Sequence, residues 1–145
     1  YPRVVALAKP HLIVNAVEGI EPGVYELVES GGEPRLSLQT IRLGQFRAQA
    51  KQLALDQGLA GDAALNVYFV SDLGEVLGRY GERGYRLAQL EAAIMAGWGY
   101  LAAYALGIGA TGLTFYEELV ENFLGVSEDG LKVMFLLAVG IPVRS

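Results

Sequence analysis

Residues 79–86 bring together the side chains best suited to chemistry in this 145-residue chain; they read RYGERGYR. The three arginines of this segment can bind a phosphate or a carboxylate through paired N–H donors. Its two tyrosines can stack on a flat ring or donate a proton. The same residues also suit a solvated turn held in place by aromatic side chains. The segment is therefore either an anion site or a surface turn.

The second candidate is the glycine-rich segment 107–112, GIGATG, which matches G-x-G-x-x-G by its letters. The dinucleotide fingerprint requires a strand before the glycines and a helix after them. Here a long helical pattern comes first, so a Rossmann site is not expected. Two interpretations stay open. One is a helix stop that turns into an extended segment, and the other is a loop that a flat cofactor can approach because glycine has no Cβ.

Composition narrows the remaining chemistry. The chain has no cysteine and one histidine, His11, so thiolate sites, histidine-rich metal sites and a conventional catalytic triad are not expected. His11 falls in an apolar run and is predicted to be a buried histidine bonded to backbone. A net charge of −5, from 11 basic and 16 acidic residues, argues against a nucleic-acid partner.

The elements that would position these residues follow from hydrophobic spacing and turn signals. Asp72 is predicted to cap a short helix, and Gly107 is predicted to end the longest one. The strands are predicted at 10–17, 24–28, 64–70 and 131–139, and the helices at 40–55, 59–63, 72–77, 85–106 and 117–124. The first two strands form a hairpin around the turn at 19–23. Glu117, Glu118 and Glu121 are expected on a solvated helix face. These elements predict one α+β domain.

The segment 92–110 carries no charged residue over 19 positions, which is long enough to span a membrane. Its residues are mostly alanine and glycine, which partition weakly into lipid and allow close packing between helices. We therefore expect a central helix buried in a cytoplasmic protein without a membrane partner, at a dimer interface. An unrelated membrane or structural protein is the less favoured alternative.

Four stretches, taken in order, resemble the nitroreductase family and, within it, the SagB-like dehydrogenases that oxidise azoline rings in peptide natural products. They are residues 10–25, the RYGERGYR segment at 79–86, residues 90–109, and residues 115–126 with 136–140. Together they cover most of the chain. The resemblance implies a single nitroreductase-like domain over residues 1–145, lacking the N-terminal part of the family domain.

The resemblance also implies a mostly antiparallel sheet flanked by helices, with a long buried central helix at the interface of a homodimer. It implies FMN bound at that interface, NAD(P)H as reductant and a small-molecule or peptide substrate. By position, Arg79 and Tyr80 match a Lys-Tyr pair that acts in catalysis in the azoline-oxidising branch. The residues implied to bind the cofactor are Gly112, Leu113 and Thr114 near the flavin and Arg144 near its phosphate. No metal ligand is implied.

The sequence departs from the family pattern at three points. Nothing matches the arginine-rich first helix, and Ile94 and Trp98 stand where the family has polar residues. Arg79 replaces a lysine, and because arginine stays protonated it is a poor general base. Two functions therefore stay open: an FMN-dependent oxidoreductase, or a non-catalytic, degenerate domain that serves dimerisation or peptide or ligand binding.

Overall fold

The computed structural model describes residues 7–30 and 35–143. Within them the chain alternates between strands and helices, with 3₁₀ turns at Gly81–Arg83 and Ser127–Asp129. The strands are β1 Ala8–Val14, β2 Gly23–Ser30, β3 Arg35–Leu43, β4 Leu65–Asp72, β5 Gly109–Gly112 and β6 Leu131–Gly140. The helices are α1 Arg47–Leu53, α2 Gly58–Asp62, α3 Leu73–Tyr80, α4 Gly84–Leu106 and α5 Glu117–Leu124.

The six strands form one antiparallel sheet in the order β3-β2-β1-β4-β6-β5. The first three strands are consecutive hairpins, which is the simplest way to pair strands joined by short turns. The later strands add on the other side of β1. As a result β3 and β5 lie at the two edges of the sheet, and each has one side that no described strand covers.

Each face of the sheet carries its own layer of helices, because successive side chains of a strand point to opposite faces. Ile13, Tyr68 and Leu136 point to one face, where they pack with α1, α2 and α5. We call this the α5 face. Phe69 and Leu137 point to the other face and pack beneath α4. The core therefore has two layers, with the sheet between them.

Helix α4 rests on the sheet through a row of small residues. Its buried residues are Gly84, Ala88, Ala92, Ala96 and Ala103. Their spacing places them along one side of the helix. A Cβ on Gly99 would lie 2.6 Å from a methyl of Leu137, so any larger residue here would displace the end of the Leu137 side chain. The helix ends at Gly107, which has the left-handed conformation expected of a C-terminal stop.

The opposite side of α4 is exposed in the single chain, although it is apolar. Trp98, Leu101 and Tyr104 are 73%, 70% and 87% exposed. Leu90 and Ile94 continue the row toward the start of the helix. We call these five side chains the α4 stripe. Among the described residues, no helix is both long and apolar enough to cross a membrane.

The expected helix over 40–55 is wrong in its first half. Residues up to Leu43 belong to β3, which pairs with β2 along its whole length, and α1 begins only at Arg47. The apolar residues of this segment fit both a helical and an alternating period, and pairing in a hairpin decided the outcome. Gly44, with φ of 144°, separates the two elements. The strand β5 was expected only as an extended segment.

Most other elements lie where the sequence places them. The strands and helices β2, α2, β4, α5 and β6 are confirmed within two residues, and β1 ends three residues before its predicted end. Asp72 does cap α3 by accepting a hydrogen bond from the Glu75 N–H at 3.0 Å. Glu121 differs, because it is only 4% exposed and its carboxylate pairs with Lys132 at 3.3 Å. The predicted loop at 30–34 falls mostly on residues 31–34, which lie outside the described residues.

Candidate functional site

A cavity of about 320 Å³ lies where β5, the end of β6 and helix α2 meet. We call it the edge cavity. Residues 109–111 and 138–143 form one side of it, and Leu59, Asp62 and Ala63 form the other. Its volume falls in the range of small-molecule sites, and its surface is mostly apolar. This end of the sheet can therefore hold a flat apolar group.

The free edge of β5 adds unused hydrogen-bonding groups beside this cavity. Among the described strands, β6 is the one that pairs with β5, and the Leu113 N–H donates to the Leu136 carbonyl at 3.1 Å. Since N–H directions alternate along an antiparallel strand, the N–H and C=O of Ala110 point away from β6. Ala110 also lines the edge cavity. The sequence analysis missed this residue, because its side chain carries no chemistry.

The glycines of segment 107–112 serve packing within the chain. A Cβ on Gly112 would lie 2.9 Å from the ring of Phe135, and one on Gly109 would lie 3.1 Å from Pro142. The Gly112 N–H donates to the hydroxyl of Tyr100. The segment is thus a helix stop followed by an extended strand, and the open space of the cavity lies beside 109–111 rather than at Gly112.

Two of the predicted cofactor residues lie just past the edge cavity. Leu113 packs against the core on the α5 face, and Thr114 accepts a hydrogen bond from Gln57 Nε2 at 3.2 Å through its hydroxyl. Of the other two, Gly112 is described above, and Arg144 lies outside the described residues. Among the described residues that line the cavity, Asp62 is the charged one, and it would repel a phosphate.

Arg79 and Tyr80 end helix α3, at the opposite end of the molecule. The Arg79 guanidinium lies 3.6 Å from the Glu75 carboxylate, with both side chains about half exposed. An exposed pair of this kind contributes little to stability. Tyr80 is also partly exposed. Both side chains are therefore accessible to a ligand.

One chain does not bring the two predicted groups together. Helix α4 separates Arg79 and Tyr80 from β5, and its 23 residues span roughly 35 Å at 1.5 Å per residue. The predicted catalytic residues lie before its first turn, and the edge cavity lies beyond its last. A reaction centre that used both groups would need a second molecule.

A second, smaller cavity of about 120 Å³ lies on the α5 face beside Arg79. We call it the His11 cavity. His11 is 4% exposed there, and its Nδ1 lies 3.4 Å from the Lys9 carbonyl. Burial lowers the pKa of His11 below its ordinary value of 6.5, so the imidazole is neutral at pH 7. The predicted burial is confirmed, and the contact with backbone is long. Within the described part of the chain, no three acidic or histidine side chains are placed to hold a metal.

Comparison with known proteins supports the fold and the resemblance. The model of the nitroreductase family matches residues 3–141. The chain belongs to the nitroreductase family. The expected α+β, nitroreductase-like fold is confirmed by a crystal structure of a nitroreductase-type protein from Anabaena variabilis, with a TM-score of 0.84 and 30% identity.

The nitroreductase relatives are longer than this chain. The Anabaena match covers 94% of this chain and 27% of that one. A Methanocaldococcus jannaschii protein whose name assigns it to the nitroreductases is 27% identical over 83% of this chain and 60% of its own length. The Escherichia coli microcin synthetase McbBCD complex, bound to truncated pro-MccB17, shares the fold with 16% identity and a TM-score of 0.78, over 97% of this chain and 53% of the matched one.

Proposed function

We propose that this chain is the flavin-binding domain of an FMN-dependent oxidoreductase of the nitroreductase type. The observation that carries the proposal is the free edge of β5 beside an apolar cavity in a member of this family. A Vibrio harveyi protein of the same fold, 22% identical with a TM-score of 0.57 over 68% of this chain and 46% of its own, is named NADPH:FMN oxidoreductase. FMN, when bound, would supply the hydride-transfer chemistry between NAD(P)H as reductant and a small-molecule or peptide substrate.

The ring system of FMN fits the residues present. A flavin ring is flat, its polar edge carries N–H and C=O groups, and its remaining surface is apolar. The outward N–H and C=O of Ala110 can pair with that polar edge, as a neighbouring strand would. The apolar lining of the edge cavity can cover the rest. The proposed contacts continue along the chain to Gly112, Leu113 and Thr114.

The phosphate of FMN needs cations that the described lining of the edge cavity does not supply. Asp62 is the charged side chain there, and a phosphate with two negative charges requires paired donors. In the proposal Arg144 contributes one donor, since it directly follows the last described residue of the lining, Val143. The remaining donors come from elsewhere in the assembled protein.

A homodimer built on the α4 stripe completes the proposed site. Exposed apolar patches rimmed by polar residues mark protein interfaces, and homodimers use the same patch of both copies around a two-fold axis. If the two α4 helices run antiparallel, the start of one lies beside the end of the other. That arrangement brings Arg79 and Tyr80 of a second copy toward the edge cavity, which one chain alone cannot do.

Arg79 and Tyr80 would then have separate roles in catalysis. Because the Arg79 guanidinium stays protonated, it would bind and orient an anionic group of the substrate rather than remove a proton. The Tyr80 hydroxyl can donate a proton to the substrate atom that receives the hydride. This division assigns the charged group to positioning and the neutral one to proton transfer.

The test is a titration of FMN with the purified chain, followed by quenching of flavin fluorescence. We expect saturable binding and a protein that stays yellow after gel filtration. The variant Ala110→Pro removes the outward N–H, and it also adds a ring and fixes φ, at a position where a sheet edge tolerates proline. It should weaken FMN binding about tenfold, as loss of one hydrogen bond to a buried ligand does. The matched variant Ala110→Ser keeps the N–H and should bind as the parent does.

Two outcomes would count against this proposal. A chain that stays colourless with excess FMN would leave the non-catalytic domain as the better description. Equal FMN affinity in Ala110→Pro and Ala110→Ser, with both variants folded by circular dichroism, would remove the edge of β5 from the flavin site. If FMN does bind, oxidation of NAD(P)H by the yellow protein tests the reaction itself.

A further inference from the structure

We propose that the His11 cavity is a binding site for a small zwitterion, an α-amino acid of the size of glycine, alanine or serine. The cavity lies on the α5 face, between the sheet and helix α3. Apolar residues of β4, α3 and β6, among them Val70 and Val76, close its inner side. It is separate from the edge cavity of the same chain. Arg79 lines it and is also assigned to the proposed dimeric reaction centre, so the tests of the inference use Lys9 and Glu26 and involve no flavin.

The strand register explains why these polar side chains meet. His11 is paired with Glu26 on β2 and with Tyr68 on β4, and cross-strand partners point to the same face. Lys9 lies two residues before His11 on the same face. Three neighbouring polar side chains of β1 and β2 therefore border the cavity.

Helix α3 closes the cavity from the other side with further charged groups. Asp72, Glu75 and Arg79 all line it. The Asp72 carboxylate also caps the helix, and the Glu75 carboxylate pairs with Arg79 at 3.6 Å. The guanidinium has five N–H donors, so this single pair leaves donors free for a ligand.

The charges around the cavity are mixed, and this decides the class of ligand. Lys9 and Arg79 are cations, whereas Glu26, Asp72 and Glu75 are carboxylates. A simple anion would meet three carboxylates, and a simple cation would meet an ammonium and a guanidinium. A zwitterion satisfies both sets, with its carboxylate toward Lys9 and Arg79 and its ammonium toward Glu26.

His11 supplies the remaining polar contact. When Nδ1 carries the proton and donates to the Lys9 carbonyl, Nε2 keeps a lone pair that can accept from an ammonium group. His11 lines the cavity, so an ammonium group bound there can reach the imidazole and donate to Nε2. Among the described residues, no protein hydrogen bond to Nε2 is formed.

The size of the cavity limits the ligand. A cavity of about 150 Å³ holds benzene, which has six non-hydrogen atoms, and the His11 cavity measures about 120 Å³. Amino acids of roughly five to seven non-hydrogen atoms match this space. Residues with long side chains do not.

The His11 cavity and the edge cavity lie at opposite ends of the same strands. Val70, Asp72 and Leu131 line the first, while Ala63 and Gly140 line the second. The eight residues of β4 place these ends roughly 25 Å apart. An amino acid in the His11 cavity therefore cannot contact a flavin in the edge cavity of the same chain.

The experiment uses the one histidine as its reporter. Because the chain contains a single histidine, its imidazole C–H signals stand alone in a proton NMR spectrum. We expect L-alanine, titrated at a constant pH near 7.5 where the imidazole is neutral, to shift these signals saturably below about 100 mM, as a Kd in the millimolar range requires. Acetate and ethylammonium, each carrying one of the two charges, should give no saturable shift.

Paired variants locate the binding site. Lys9→Met and Glu26→Gln should each weaken L-alanine binding about tenfold or more, since each removes one charged partner. Lys51→Met on α1 and Glu29→Gln on β2 change exposed residues outside the cavity and should bind as the parent does. The proposal is overturned if L-alanine causes no shift, if acetate or ethylammonium alone reproduces it, or if the control variants lose binding equally. None of these readouts involves FMN.

Discussion

The imidazole of His11 shows how burial alone sets the state of a side chain. Loss of hydration is the largest influence on its pKa and lowers it, the contact with the Lys9 carbonyl and the charge of Glu26 raise it, and the charge of Lys9 lowers it. The net direction is downward, so the folded protein binds a proton at His11 less readily than the unfolded chain does. That difference makes folding depend on pH.

We predict that the stability that depends on His11 is present above pH 6.5, the ordinary pKa of histidine, and is lost as pH falls toward the lower pKa of the folded state. In that range the unfolded chain takes up the proton first, which favours unfolding. Urea unfolding between about pH 8 and pH 5 should show a steeper loss of free energy in the parent than in His11→Leu. Parallel curves for the two proteins, or an NMR titration that places the pKa of His11 at or above 6.5, would contradict this.

At the scale of single residues, the sequence predicts best where the chemistry is local. The Asp72 cap depends on residues within one helical turn, and the sequence placed it correctly. Glu121 was expected in solvent but is buried, because Lys132 on β6 approaches it across ten intervening residues. Ala110 was missed because its role comes from the direction of its backbone. Residue type alone does not predict tertiary contacts or the direction of backbone groups.

At the scale of elements, the start of the predicted helix at 40–55 shows where a period is not decisive. Ile41 and Leu43 fit a helical face, but Leu43 also pairs with Gly23 in the register of β3 and β2. A strand beside an existing hairpin gains backbone hydrogen bonds from it, whereas a helix over residues 40–43 would leave the start of β2, residues 23–25, without this partner. The choice between helix and strand is therefore decided by pairing with β2 rather than by the sequence of the segment itself.

The edge strand β3 is attached to the helices of the α5 face through Arg42. Its guanidinium lies 4.5 Å from the ring centre of Phe123 and 5.6 Å from that of Phe46, and it donates to the Phe123 carbonyl. The two rings also meet edge to face, with centres 5.5 Å apart. One cation thus joins β3, α5 and the residue before α1.

We predict that Arg42→Met lowers the free energy of unfolding by about 1–2 kcal/mol, through loss of the cation–π contacts and of one hydrogen bond. Methionine retains much of the apolar volume, so a cavity adds little to the effect. Urea unfolding measures the change. Arg83→Met, at an exposed arginine of the 3₁₀ turn, is the matched control and should change stability by less than about 0.5 kcal/mol. Equal effects of the two substitutions would show that the Phe46–Arg42–Phe123 stack contributes nothing specific.

At the scale of the whole molecule, the order of the motifs predicted the family and the fold. The residues of the predicted site, however, lie at two ends of the folded chain. The resemblance implies a single site that contains the pair Arg79 and Tyr80. It also places the flavin-side residues there, which are Gly112, Leu113 and Thr114. The length of α4 separates these two groups within the chain. A sequence records which residues a family uses but not which copy supplies them. The exposed stripe on α4 is the surface on which we propose that a second copy docks.

We predict that the parent chain is a dimer and that Leu101→Lys makes it a monomer. Leu101 lies within the exposed stripe, and a lysine there would place a charge of each copy in the proposed apolar interface, where loss of its hydration opposes association. Since the leucine is exposed in the single chain, the monomer should keep its fold. Sedimentation velocity measures the assembly state, and circular dichroism measures the fold. Leu119→Lys, at an exposed leucine of α5 on the other side of the sheet, should stay dimeric.

The same pair of variants tests whether assembly and flavin binding are linked. If the edge cavity is completed by a second copy, the folded monomer of Leu101→Lys should lose most FMN affinity, whereas Leu119→Lys should keep it. The FMN affinity of the parent should also fall when the protein is diluted below the dimer Kd, because mass action then removes the partner. Full FMN affinity in a monomeric Leu101→Lys would show that one chain forms the flavin site alone. In that case Arg79 and Tyr80, which one chain holds far from β5, would have no part in the reaction.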